Sequence, residues 1–376
     1  MLIKHGLKNK IKLLLVAVLF FTPINIAKAD TSPQESGLML DISRHFYDIN
    51  TLKKFIDVLH ESHGTFLHLH FSDDQNYAIE SAILGQTSEN ALQKDGLFIN
   101  PNTQKPFLSY AQLDELIHYA KAKNIELVPE VDSPAHMNAI FTLLAHKYGN
   151  DYVQQRQSSQ FRGELDMRNE QSIALMQELI GEVIWIFGDS SRHFHLGGDE
   201  FAYDEENSGE FIQYINKLAQ TVIDKGLTPR IWNDGLLTAN LAQLNPSVQI
   251  TYWSYDGDAS NPDDIRYRRK IRASLPDILQ QGFQVLNYNA YYLYFNPNAR
   301  QNLTEDSQFA KQDLQKNWHL GVWDGQNTQN AVKPTQLLGA ALAIWGENAS
   351  SLPSAQIQQA TAPLLKTALE KINTHK

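Results

Sequence analysis

"HFHLGGDEFAYDEE", residues 193–206, runs from an apolar–polar alternation through two glycines into an adjacent pair of carboxylates, Asp199 and Glu200. Its first residues read as a short strand with alternate side chains on opposite faces. A strand that ends on Asp-Glu either opens into a solvated loop or holds something at its carboxyl end. Seven other apolar runs decide between these readings, because most of them finish in the same way.

These runs begin at Gly37, Thr65, Ile125, Thr228, Val248, Phe283 and Gly339. With the run at His193, their ends read Asp41/Arg44, Asp73/Asp74, Glu130/Asp132, Asp199/Glu200, Trp232/Asp234, Trp253/Asp256, Tyr291/Tyr292 and Trp345/Glu347. Amphipathic helical stretches lie between them, such as "YAQLDELIHYAKAK" from Tyr110 and "EFIQYINKLAQTVIDKG" from Glu210. Eight strands alternating with helices predict an α/β fold, a single (β/α)8 TIM barrel with enlarged βα loops. A doubly wound open sheet has the same alternation. The barrel is favoured because polar and aromatic residues gather after nearly every strand, not at one switch point. A ring of carboxylates, tryptophans, tyrosines and one arginine at such a mouth suits a sugar. Aromatic faces cover the ring, while carboxylates and arginine bond its hydroxyls.

The first thirty residues read as a targeting signal. Lys4, Lys8, Lys10 and Lys12 precede the nine-residue apolar run Leu13 to Phe21, and Ala27-Lys28-Ala29 supplies a cleavage site. The run is too short to span a bilayer, so export without a membrane anchor is expected, to the periplasm or the medium. The expected domains are therefore a signal peptide at 1–29 and a catalytic barrel at 30–376. The signal holds five Lys and no acid, which leaves 27 basic residues against 42 acidic ones, a net charge of −15. Such a surface disfavours nucleic acid as a partner. The chain has no cysteine, which excludes disulfides, thiolate metal sites and a cysteine nucleophile.

Each chemical signal has a plain structural reading beside it. Any one of Trp232, Trp253 or Trp345 fits core packing as well as ligand stacking, and only their recurrence beside acids favours the site. The pairs His68/His70 and His193/His195 share strand faces as metal ligands would. They lie before the strand ends, however, and read better as barrel-interior histidines bonded to neighbours, with no metal. In "PEVDSPAHM" (129–137), His136 either holds a substrate hydroxyl or an acid, or merely shapes the loop. Asp199 and Glu200 fit a solvated helix start. Gly197 and Gly198 argue against this, since they let the backbone pass close beneath something. An ionised Asp199 would raise the pKa of Glu200 and prepare it to donate a proton. Adjacent carboxylates make a poor acid and nucleophile pair, because those groups stand ~5 Å or more apart across the scissile bond. A simpler division has the substrate's 2-acetamido oxygen attack, Asp199 orient the amide and Glu200 protonate the leaving oxygen.

"HLGGDE", "WND", "YYLY" and "WGE" together resemble glycoside hydrolase family 20, the β-N-acetylhexosaminidases. "GLMLDISRHFY", "FLHLHFSDDQNYAIES", "ITYWSYDGD", "VLNYNAYYLY" and "GVWDGQNT" are similar to segments of a secreted member that degrades the poly-β-1,6-N-acetylglucosamine of biofilms. The resemblance implies a retaining, acetamido-assisted hydrolase without a cofactor, acting on a β-linked N-acetylglucosamine polysaccharide. By motif it makes Asp199 the acetamido-orienting residue, Glu200 the general acid/base, and Tyr292 the phenol that bonds the acetamido oxygen. It has Arg44 and Glu347 grip sugar hydroxyls, Trp232, Trp253 and Trp345 wall the pocket, and Asp73 and His136 support the acid. Two departures from the family pattern matter. No separate domain is expected before the barrel, and Tyr292-Leu293-Tyr294 stands where many exo-acting members have Tyr-Leu-Asp. The missing acidic contact to the sugar's 6-position fits a 1,6-linked chain.

The acidic surface should attract a partly deacetylated, cationic polymer, through "YDEE" with Tyr203 and "YDGD" with Asp258; Asp234 completes the candidate site. Three other readings compete. One is a hexosaminidase for chitin-type or other β-linked N-acetylhexosamine. Another is a conventional glycosidase with Glu130 or Glu347 as nucleophile, and the last is a non-catalytic polysaccharide-binding barrel.

Overall fold

The computed structural model describes residues 34–201 and 207–374. The expected signal peptide, residues 202–206 and with them Tyr203 lie outside the described residues. All eight predicted runs form parallel strands: β1 (Glu35–Asp41), β2 (Phe66–His70), β3 (Glu126–Glu130), β4 (His193–His195), β5 (Thr228–Trp232), β6 (Gln249–Tyr252), β7 (Val285–Asn287) and β8 (Gly339–Ile344). Each pairs with the next, and β8 pairs back onto β1 over Glu35–Leu40 and Gly339–Ile344, so the barrel closes. The (β/α)8 reading holds. Closure requires a glycine at 339, because a Cβ there would stand 1.7 Å from the Glu35 carbonyl oxygen.

Helices α1 (Ile49–Glu61), α2 (Tyr110–Ala122), α3 (Asn138–Tyr148), α4 (Glu170–Phe187), α5 (Ser208–Asp224), α6 (Pro262–Ile271), α7 (Leu303–Asn317) and α8 (Ser354–Asn373) surround the strands. Their starts are fixed locally. Asp48 accepts from the Asn50 and Thr51 amides, and Ser109 with Gln112 forms a capping box on α2. No described helix is long and apolar enough to cross a membrane.

Strand alternation divides the core in two. Outward residues such as Leu38, Leu40, Leu67, Leu69, Leu127 and Ile250 pack under the helices. Inward residues form a separate cluster of Met39, Phe66, Val128, Trp232, Leu286, Tyr288, Ala341, Ala343 and Trp345. The same inward face carries the charged residues. At the amino end of the barrel, Arg230 bonds Glu35 (2.6 Å) and Gln249 (2.8 Å), and His193 bonds Glu126 (2.9 Å).

Candidate active site

The inward histidines converge on one buried acid. Glu130 lies 2.7 Å from His70 Nδ1, 3.0 Å from His68 Nε2 and 3.1 Å from His195 Nδ1, and it accepts from Trp232 Nε1 at 2.7 Å. This cluster is fully buried, which removes Glu130 from the candidate nucleophiles. His70 also reaches Asp73 through Nε2 at 2.9 Å. A carboxylate at each nitrogen requires a proton on both, so His70 is an imidazolium despite its burial. Its pKa accordingly stands well above the ordinary histidine value, the burial penalty being overcome by Glu130 and Asp73.

From Asp73 the ion pairs continue towards the barrel mouth. Asp73 pairs with Arg44 at 2.6 Å, and Arg44 also meets Asp41 at 3.1 Å while lying 5.3 Å over the Trp345 ring. His136 Nδ1 is 3.5 Å from Asp73 and 3.7 Å from Asp74, and its Nε2 is 3.5 Å from Glu200. Burial disfavours the His136 cation, yet Asp73, Asp74 and Glu200 together hold its pKa well above the ordinary value. A protonated ring thus stands behind Glu200. His136 and Glu200 both take left-handed backbone (φ +56 and +48), which non-glycine residues avoid without surrounding support.

At the carboxyl end of the barrel, a cavity of about 170 Å³ is lined by Arg44, Asp199, Glu200, Trp253, Asp258, Tyr294, Asn296, Trp345 and Glu347. Asp199 is buried at the cavity wall, while Glu200 is exposed to solvent. Asp234 lies behind that wall, fully buried, accepting from Trp253 Nε1 at 2.6 Å with Arg272 at 3.5 Å. Burial, against the pull of Arg272 and with the neighbouring Asp199 charge, pushes Asp234 up to about 7.

Seven of the residues expected from sequence line this cavity: Arg44, Asp199, Glu200, Trp253, Asp258, Trp345 and Glu347. Asp73, His136 and Asp234 support them from behind. Two expectations are corrected. Trp232 does not wall the pocket. It is fully buried beneath, bonded to Glu130 and 6.0 Å from the Trp345 ring, and forms the barrel floor. Tyr292 does not face the cavity either. It sits in the one-turn helix Ala290–Leu293, packs edge-on against Tyr291, and its hydroxyl lies 3.5 Å from the Gln326 carbonyl.

Tyr294 takes that place. Tyr294–Phe295 pairs with β8 at Ala343–Ile344, so Phe295 enters the outer core and Tyr294 faces the mouth. Its ring stacks on Trp253 (6.0 Å, 10°) and meets Trp345 edge-on (5.4 Å, 61°). Burial, then the Asp199 and Asp234 charges, raise its phenol well above the usual value, which keeps it a hydrogen-bond donor. Asn296 was also missed. Its place two residues beyond Tyr294, on the same strand-like face, was the available signal.

The model of the glycosyl hydrolase family 20 catalytic domain matches residues 36–359. The crystal structure of dispersin B is similar at 54% identity with a TM-score of 0.89, covering 90% of this chain and 99% of that one. A β-N-acetylhexosaminidase of Cellulomonas fimi is 24% identical over 84% of this chain and 59% of its own length. A lacto-N-biosidase of Bifidobacterium bifidum is 25% identical over 66% of this chain and 22% of its own. The chain therefore spans from about a fifth to three-fifths of the length of these two relatives.

Proposed function

The chain belongs to glycosyl hydrolase family 20, and from that premise we propose that it is an exported β-N-acetylglucosaminidase that hydrolyses β-1,6-linked poly-N-acetylglucosamine with retention. The observation that carries this reading is the small cavity with Asp199 buried at one wall, Glu200 beside it and three aromatic rings enclosing the rest. It suits one pyranose ring and its acetamido group.

In the first step the acetamido oxygen attacks the anomeric carbon, the bond to the leaving oxygen breaks, and Glu200 gives that oxygen its proton. The product of this step is a cyclic oxazolinium ion on the substrate itself. Asp199, an anion at the cavity wall, accepts the amide N–H and offsets the charge that develops on nitrogen. Tyr294, which lines the same cavity as Asp199, donates to the amide oxygen, directing it at the anomeric carbon. Trp253 and Trp345 exclude water from the cyclic ion until the leaving sugar departs. Glu200 then takes a proton from an entering water, which opens the ring with overall retention. The His136 cation steadies the Glu200 anion between the steps. Arg44 and Glu347, on the same wall as Trp345, bind sugar hydroxyls.

Similarity to dispersin B supports the 1,6 linkage. The excess of acid supports a partly deacetylated, cationic polymer. The test compares 1,6-linked and 1,4-linked N-acetylglucosamine oligomers, and a deacetylated 1,6 polymer at low and high salt. Preference for the 1,6 oligomers, with salt slowing only the cationic polymer, supports the proposal. Equal rates on both linkages contradict the linkage assignment and favour a general β-N-acetylhexosaminidase.

A further inference from the structure

Asp132 lies two residues beyond β3, in the segment that also holds His136. It is fully buried, its own N–H bonds Ser72 Oγ at 2.8 Å, and its Oδ1 accepts the Gly198 N–H at 2.9 Å. A carboxylate oxygen of Asp132, one of Asp199 and a ring nitrogen of His136 lie within 4.8 Å of one another. Among the described residues, Asp132 Oδ2 and Asp199 Oδ1 are both buried without a hydrogen-bond partner. An ionised carboxylate only accepts. Two facing carboxylates out of water would repel and leave two acceptors unsatisfied.

We propose that Asp132 is a positioning residue that keeps its proton and donates it to Asp199, so that the pair carries a single negative charge. The role of Asp199 in this statement rests on the function proposed above. One proton satisfies both orphaned oxygens and removes the repulsion. It belongs to Asp132 because that side chain is the more deeply enclosed of the two. Asp199, at the cavity wall, must stay an acceptor for the amide. The charges facing Asp132 agree: burial and then Asp199 raise it well above the usual carboxyl range, Glu130 adds to this, and the His136 cation only partly opposes it. The His70 cation and the Asp73 carboxylate, both also within 4.8 Å of an Asp132 oxygen, are paired with each other and carry opposite charges, and Tyr214 is neutral and bonded to Ser133 Oγ at 2.7 Å.

The arrangement also explains the glycine at 197. A Cβ at Gly197 would stand 1.8 Å from Asp132 Oδ1, so the carboxyl reaches Asp199 only because the backbone beneath is bare. Held by the Gly198 N–H on one oxygen and by Asp199 on the other, Asp132 fixes the rotation of the Asp199 carboxylate. The free oxygen of Asp199 then aims at the amide without reorganising during the reaction.

The amide of Asp132→Asn reproduces every bond of the protonated acid, with its oxygen towards Gly198 and its NH₂ towards Asp199. D132N should therefore keep kcat on 4-nitrophenyl N-acetyl-β-glucosaminide within about threefold, whereas D132A should lose roughly 10²-fold with a smaller change in KM. The direct readout is ¹³C NMR of aspartate-labelled free protein at about pH 8, above the titration of Asp234 at about 7. One aspartate carboxyl should remain protonated, and its signal should vanish in D132N. Absence of that signal, or a D132N that falls as far as D132A, overturns the proposal. Should D132A fail to fold, D132N and the NMR signal decide alone. The NMR result needs no substrate, so it separates failure of this inference from failure of the assigned activity.

Discussion

Two residues apart in "YYLY", Tyr292 and Tyr294 have different fates, and the difference is testable. Tyr294 lines the cavity with Asp199, while Tyr292 packs outside it. Y294F should lower kcat on the N-acetyl substrate by roughly 10²-fold, the scale for one lost transition-state donor, and Y292F should stay within a few-fold of the parent. The reverse order, measured on the same aryl substrate, would restore the assignment by motif. Asp234 makes a second prediction at this scale, through stability. Its folded pKa of about 7 lies above the unfolded value near 4, so between these pH values the folded chain holds a proton that the unfolded chain has lost. Stability should fall as pH rises through that window, by roughly 1 kcal/mol per pH unit from this group, and level off above pH 7. Urea unfolding at pH 5 and pH 7 should show a smaller decline in D234N than in the parent. An equal decline would mean that another group is responsible.

At the scale of elements, the site is a set of strand ends held at fixed height by the closed barrel. Run ends were legible because each strand alternates a helix-facing apolar residue with an inward one, and acidic and aromatic residues gather where the apolar alternation stops. Asp199, Glu200, Trp253, Trp345 and Glu347 were found in that way. Trp232 was misplaced because strand periodicity gives a side chain's face and not its depth. It is the last residue of β5, and its inward ring fills the floor that Glu130 and the histidines share. Tyr292 was misplaced because a one-turn helix precedes the two-residue strand at Tyr294, a local geometry with no periodic signature. Asp132 gave no signal of its own beyond its carboxylate at a run end; its role depends on the conformation of the β4 end. There, G197A forces a side chain onto φ +74 and into Asp132 Oδ1. It should destabilise the chain by roughly 1–3 kcal/mol and displace the Asp132 carboxyl. Activity should fall further than the loss of stability accounts for. A G197A protein of parental stability and kcat would show that the close approach is dispensable.

Across the whole molecule, the fold divides its labour between two faces of one sheet. The outer face is an ordinary helix-covered apolar layer, and stability rests there. The inner face spends barrel volume on buried charge, from Arg230 and Glu35 at one end through the Glu130 histidines to the Arg44–Asp73–His136 group at the mouth. Such ions are weak stabilisers, and losing one partner is costly, so their concentration along the axis is better explained by function than by folding. They supply a fixed field for a pair of adjacent carboxylates with different tasks. Asp199 is enclosed and Glu200 is exposed, which suits the proposed roles of facing an amide and of exchanging protons with leaving group and water. The central claim is that the nucleophile belongs to the substrate. The measurement that tests it most directly offers the purified protein 4-nitrophenyl N-acetyl-β-glucosaminide and the corresponding plain β-glucoside, with and without a thiazoline analogue of the cyclic intermediate. Cleavage of the first alone, blocked by the thiazoline, is the predicted result; comparable cleavage of both would mean that a side chain of the protein attacks the sugar, and would contradict the account.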